Sequence, residues 1–142
     1  MKLKVLAMVA FAASLAAADA PKDAEKIQGS WKVISAEDSG RKAPEETLRN
    51  LKWAVTRDTI TYKVGGKTTR WTYRLDPGRK PKWIDLTEGD RTRPAIYDLD
   101  GDTLKVCFAE GTQKERPTAF ESKPNSVNDV LLVLKRDKSD SR

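Results

Sequence analysis

Between Thr59 and Leu75, apolar and polar residues alternate with a period of two on both sides of Gly65-Gly66. Treating the two glycines as a tight turn sets Val64 opposite Lys67, Tyr62 opposite Thr69 and Ile60 opposite Trp71. One face then collects Ile60, Tyr62, Val64, Trp71, Tyr73 and Leu75. The other collects Thr59, Thr61, Lys63, Thr68, Arg70, Thr72 and Arg74. Successive strand side chains point to opposite faces, so this pattern predicts an antiparallel ribbon with one dry and one wet face.

The stretch "AIYDLDGDTLKV", residues 95 to 106, follows the same rule. With Asp100-Gly101 as the tight turn, Leu99 faces Asp102 and Tyr97 faces Leu104, and Ala95, Tyr97, Leu99, Leu104 and Val106 share one face. The three carboxylates Asp98, Asp100 and Asp102 resemble the start of a calcium loop, but Asp98 and Asp102 then point to opposite sides of the ribbon. A calcium loop of the EF type also needs a glutamate at its twelfth position, where Ala109 stands. The pattern favours a hairpin.

Further strands are expected at Ser30 to Glu37, Leu51 to Thr56, Lys82 to Thr87, Arg116 to Ser122 and Asp129 to Arg136. Pro77-Gly78, Glu88-Gly89-Asp90 and Lys123-Pro124-Asn125 punctuate them. Two short helices are expected. One runs from Pro21 to Gln28 and stops at Gly29; the other, in "APEETLRN", has Pro44 at its start and Glu45 and Glu46 beside the positive end of the helix dipole. Many short one-faced strands and few helices indicate a closed barrel or a sandwich.

The first residues change the picture of where the chain works. "MKLKVLAMVAFAASLAAADA" has a charged start at Lys2 and Lys4, an apolar run too short to span a bilayer, and a small-residue cleavage site at Ala16-Ala17-Ala18. Residues 1–18 are therefore expected to be a secretory signal, residues 19–136 one domain and residues 137–142 a disordered tail. This implies an exported protein, periplasmic or extracellular, with no membrane span in the mature chain.

Composition removes several chemistries. The chain has 142 residues, no His and one Cys, so a Cys-and-His zinc site, a His-based triad and an intramolecular disulfide are excluded. Cys107, in "LKVCFA", reads as a small half-buried apolar residue. The formal net charge is +6. Without Lys2 and Lys4 the excess is modest, and no basic stripe with interleaved aromatics marks a nucleic-acid partner. No cofactor is indicated.

Gly29-Ser30-Trp31 matches the G-x-W that opens the first strand of lipocalins, and "VLLVLKR" ends in Arg136, where lipocalins bring a basic side chain over that tryptophan. With "KPKWIDL", "RPTAF" and the Tyr-Asp-Leu-Asp-Gly-Asp-Thr-Leu stretch, the chain resembles a family of small exported lipocalin-like domains of uncharacterised function, abundant in planctomycete bacteria. The resemblance implies an all-β, up-and-down antiparallel barrel of about eight strands with one or two short helices. Gly29, Trp31 and Arg136 would close one end. It supplies no catalytic or ligand residues.

Trp53, Tyr62, Trp71, Tyr73, Tyr97 and Phe108 fall on interior phases, and an eight-stranded barrel is wide enough for one small apolar ligand. The same rings would also serve simply to fill the barrel. A second reading is a ligand-free structural or interaction module of the cell envelope, with outward Lys63, Arg70 and Arg74 meeting an acidic partner. Catalysis is the weakest reading. It would need Asp85 and Glu88 as an acid and base, or Arg116 at the barrel mouth. N-terminal sequencing of exported material should give Asp19 as the first residue, whereas an intact Met1 on membrane-bound protein would contradict the signal-peptide assignment.

Overall fold

The computed structural model describes residues 22–64, 66–109, 115–124 and 130–138. The segment expected to be a signal and its expected cleavage site, Pro21, Gly65, Asn125, Asp129 and the tail from residue 139 lie outside the described residues.

A short helix, α1 (residues 22–26), leads into β1 (Gly29–Asp38), β2 (Arg41–Lys42), α2 (Glu45–Arg49), β3 (Lys52–Val55) and β4 (Thr59–Val64). Then follow β5 (Lys67–Asp76), β6 (Lys82–Glu88), β7 (Arg91–Asp100), β8 (Thr103–Phe108) and β9 (Val130–Arg136). From β3 onward each strand pairs antiparallel with the next, β1 pairs with β3, and β9 returns to β1. The result is a closed, up-and-down barrel of eight strands, with β2 a short extension hydrogen-bonded to β1. Among the described residues no helix is long and apolar enough to cross a membrane.

The β4–β5 register is the expected one, with Val64 opposite Lys67, Tyr62 opposite Thr69 and Ile60 opposite Trp71. The β7–β8 hairpin keeps its expected faces but shifts in register: Leu99 faces Leu104 and Tyr97 faces Val106, so the turn is Gly101-Asp102 rather than Asp100-Gly101. Gly101 takes φ +59° while Asp102 stays at negative φ. Positive φ at the first central residue alone is the pattern of a type II′ turn, which suits Gly-X, whereas Asp-Gly in a I′ turn would need positive φ at the aspartate too. Asp102 also gains partners there: its carboxylate lies 3.4 Å from Arg136 Nε and 3.0 Å from Lys138 Nζ. Asp98 stands across from Lys105 on the exposed outer face.

Three features depart from the expected pattern. In β1 a bulge between Val33 and Ser35 changes the phase, so that Ala36 and Asp38, rather than Ser35 and Glu37, lie opposite Leu132 and Val130. The segment expected as a strand from Arg116 to Ser122 is not one. Closure between β1 and β9 leaves the barrel no edge to extend, and Pro117 has no N–H to donate to a ladder. Residues 115–124 instead form a strap on the outer surface, where Cys107 Sγ donates to Glu121 O at 3.3 Å and Gly40 N donates to Ser122 Oγ at 2.9 Å. Ile96 and Cys107, on outward phases, are 0% exposed, so Cys107 is fully rather than half buried.

The tail expected to be disordered from Asp137 is held for two further residues. Asp137 N donates to Ser30 O at 2.8 Å, its carboxylate lies 2.7 Å from Lys52 Nζ, and Lys138 engages Asp102.

Gly101→Val should destabilise the fold by about 1–3 kcal/mol, because a β-branched side chain is strained at positive φ. Asp98→Asn, exposed and away from the turn, should stay within about 0.5 kcal/mol of wild type. Urea denaturation of both variants checks the pair, and equal stability of Gly101→Val and wild type would contradict the turn assignment.

Candidate functional site

The two barrel ends differ, and the difference begins in the sequence flanking β1. At one end α1 folds under the strands and buries Ile27 completely. Trp31, also fully buried, donates from Nε1 to Ile27 O at 2.7 Å. The Arg136 guanidinium lies 4.3 Å from the Trp31 ring centroid and donates to Gln28 O at 2.9 Å and to Lys26 O. Stacking of a guanidinium on an indole contributes roughly 0.5–2 kcal/mol, and here the same group also satisfies carbonyls left over at the end of α1. Gly29, at φ +123°, lets the chain pass this group: a Cβ there would stand 3.1 Å from the Arg136 guanidinium.

Asp23 completes the seal. It accepts from Tyr97 Oη at 2.6 Å and from Lys82 Nζ at 3.0 Å, and it is the one buried charged residue among the described residues. Burial, then the hydrogen bond to Asp23, then the negative charges of Asp23 and Asp76 push the Tyr97 phenol well above its ordinary value. Tyr73, whose hydroxyl donates to Thr56 O at 2.6 Å, is raised by burial and by Asp58.

The other end is open. A cavity of about 1050 Å³ is lined by buried Trp71, Phe108 and Val130, half-buried Ala36, Leu51 and Tyr62, and exposed rim residues such as Arg41 and Lys42. Its wall is organised around Trp71, which meets Tyr62 edge-on at 4.9 Å and Phe108 edge-on at 5.8 Å between ring centroids. Edge-to-face pairs add about 0.5–1.5 kcal/mol each beyond burial, so the wall is stiff. Val64, at the tip of β4, is 55% exposed and belongs to the rim.

Of the six aromatic residues expected around a pocket, the structure places Tyr62, Trp71 and Phe108 on the cavity wall and sets the other three elsewhere. Trp53 packs edge-on against Trp71 at 5.8 Å without lining the cavity. Tyr73 is drawn to Thr56, and Tyr97 to Asp23 in the sealed end. Period-two phasing assigns a face but not a height along the barrel, and these hydroxyls follow their acceptors to the sealed end.

The suggested acid–base pair is not assembled. Asp85 lies on the outer phase of β6, 2.7 Å from Arg116 Nη2, whereas Glu88 is three residues along, on the opposite phase, at the cavity rim. Arg116 does not reach the mouth. It donates to Ala95 O at 2.8 Å and lies 4.0 Å from the Trp83 ring centroid on the outer surface. Lys63, Arg70 and Arg74 are exposed. Among the described residues no cluster of three His, Cys, Asp or Glu side chains could hold a metal ion.

Two side chains of the cavity wall carry buried donors that sequence reasoning missed as functional groups. Trp71 Nε1 and Arg93 Nε have no hydrogen-bond acceptor among the described residues. Both side chains line the cavity. A buried donor without an acceptor costs about 1–3 kcal/mol, which makes these positions unusual in a small barrel. Arg93 was readable in principle, since it shares the period-two phase of Ala95 and Tyr97 in β7.

No protein-family model, curated protein or solved structure matches the chain.

The raised tyrosines have a testable signature. A folded pKa above the unfolded value means that stability is complete below about pH 10 and falls as pH rises beyond it, by about 1.4 kcal/mol per pH unit for each phenol that keeps its proton. Urea denaturation at pH 8, 10 and 11 should show this loss, and Tyr97→Phe should reduce its slope. Stability unchanged between pH 10 and 11 in wild type would contradict the assignment.

Proposed function

We propose that this protein is an exported, non-enzymatic barrel that binds one small apolar ligand in its open end, within the lipocalin-like family its sequence resembles. The observation that carries the reading is the cavity itself. One end of the barrel is filled by Ile27, Trp31 and the Asp23–Tyr97–Lys82 cluster, while the other leaves about 1050 Å³ against Trp71, Tyr62 and Phe108. A pocket of this size suits a small molecule: its buried wall residues, Trp71, Phe108 and Val130, are apolar, while half of its lining residues are polar and most of these are exposed. The bulge in β1 supports the reading, because it turns apolar Ala36 rather than polar Ser35 toward the cavity.

N-phenyl-1-naphthylamine, a neutral fluorescent probe, should bind saturably with one-to-one stoichiometry. Trp71→Ala should weaken it about tenfold or more, the effect of losing one aromatic wall contact, while Trp83→Ala on the outer face should leave it unchanged. Circular dichroism confirms that each variant is folded. Absence of binding below about 1 mM, a limit near −4 kcal/mol, or equal affinity in both variants would favour the ligand-free envelope module with its outward Lys63, Arg70 and Arg74.

A further inference from the structure

We propose that the ligand of this cavity is a singly charged amphiphile, an apolar body ending in a carboxylate, with Arg93 as its anchor and the Trp71 indole N–H as a second donor. The proposal rests on the ligand-binding reading above and names the chemistry that the site selects.

The charges lining the cavity are Glu37, Asp38, Arg41, Lys42, Glu88 and Arg93. Five of them have an oppositely charged residue across the register. Glu37 faces Lys42 and Asp38 faces Arg41 between β1 and β2, and Glu88 faces Arg91 across the β6–β7 turn. Arg93 faces Leu86. It is half-buried on the inner phase of β7, its Nε is buried without an acceptor, and its guanidinium has no hydrogen bond or ion pair with a described side chain.

Trp71 supplies an independent observation. It is 3% exposed, lines the same cavity, and its N–H is likewise without an acceptor. Two unmatched donors, one of them cationic, call for a group with two acceptor oxygens and one negative charge. A carboxylate has both, and its plane matches the guanidinium fork. The carboxylates among the lining residues, Glu37, Asp38 and Glu88, oppose a dianion, and Arg93 opposes a cation. Tyr62, Phe108 and Val130 give an apolar body a surface to lie against.

Displacement of N-phenyl-1-naphthylamine by decanoate, 1-decanol and decyltrimethylammonium at pH 8 tests the proposal with three bodies of equal length and different heads. Decanoate should bind about tenfold or more tighter than decanol, as expected for a charge-assisted contact in a partly desolvated site, and the ammonium should bind most weakly. Arg93→Gln should abolish the preference for decanoate while leaving decanol unchanged, and Arg93→Lys should retain part of it. Trp71→Phe, which keeps an aromatic ring but removes the N–H, should weaken decanoate more than decanol. Equal binding of decanoate and decanol in wild type, or a preference that survives Arg93→Gln, overturns the proposal and leaves the ligand-binding reading standing. Failure of the neutral probe and all three decyl compounds to bind overturns both. If Arg93→Gln does not fold, the wild-type comparison of heads still decides.

Discussion

Closure of the sheet between β1 and β9 is the constraint from which the remaining architecture follows. The two strands run antiparallel from Trp31 opposite Arg136 to Asp38 opposite Val130, and one bulge absorbs the mismatch between them. Once this pairing exists, every barrel strand has two neighbours and no edge is left for aggregation or for a ninth barrel member. The described part of the connection between β8 and β9, residues 115–124, therefore lies outside the sheet. Residues 115–124 use that position to cover the outward-facing Cys107, whose Sγ donates to Glu121 O, and the neighbouring outward-facing Ile96 is also 0% exposed.

The same closure brings Arg136 over Trp31, and this is what makes the barrel asymmetric. The guanidinium is held at once by an aromatic face, by two carbonyls at the end of α1 and by Asp102 in the β7–β8 turn. Lys138 adds a stronger hold on Asp102, and its hydrogen bond, followed by its charge, keeps that carboxyl below the usual range. Chain start, chain end and a mid-chain turn thus meet at one end of the barrel. A fold that gathers its strongest polar links at one end has apolar volume and fewer constraints left at the other, which is where cavities persist.

The chemistry of the open end follows from what remains unmatched there. Buried polar atoms in small domains nearly always find a partner, as Tyr73, Tyr97 and Asp23 do in the sealed end. Trp71 Nε1 and Arg93 Nε break that pattern, and both border the same space. Sites that bind rather than merely pack commonly keep such local costs, because the groups are satisfied by something other than the fold.

Period-two alternation, read alone, determines most of the strands, the inner and outer faces of the β4–β5 and β7–β8 hairpins and the β4–β5 register, because a one-residue slip would put a whole apolar face into water. Gly29, Trp31 and Arg136 are marked by the resemblance to lipocalins rather than by alternation. Alternation is blind to three things that tertiary structure decides. Shifting the β7–β8 register by two preserves every face, so only the Gly101 turn and the partners of Asp102 select it. Pattern carries no height along the barrel axis, so it cannot separate Tyr97 and Tyr73, tied to the sealed end, from Trp71 and Phe108 at the mouth. Nor does local sequence announce that the sheet has closed. Closure denies Arg116 to Ser122 a strand edge, and with the bulge turns Ala36 inward; both depend on where residues about a hundred positions apart come together.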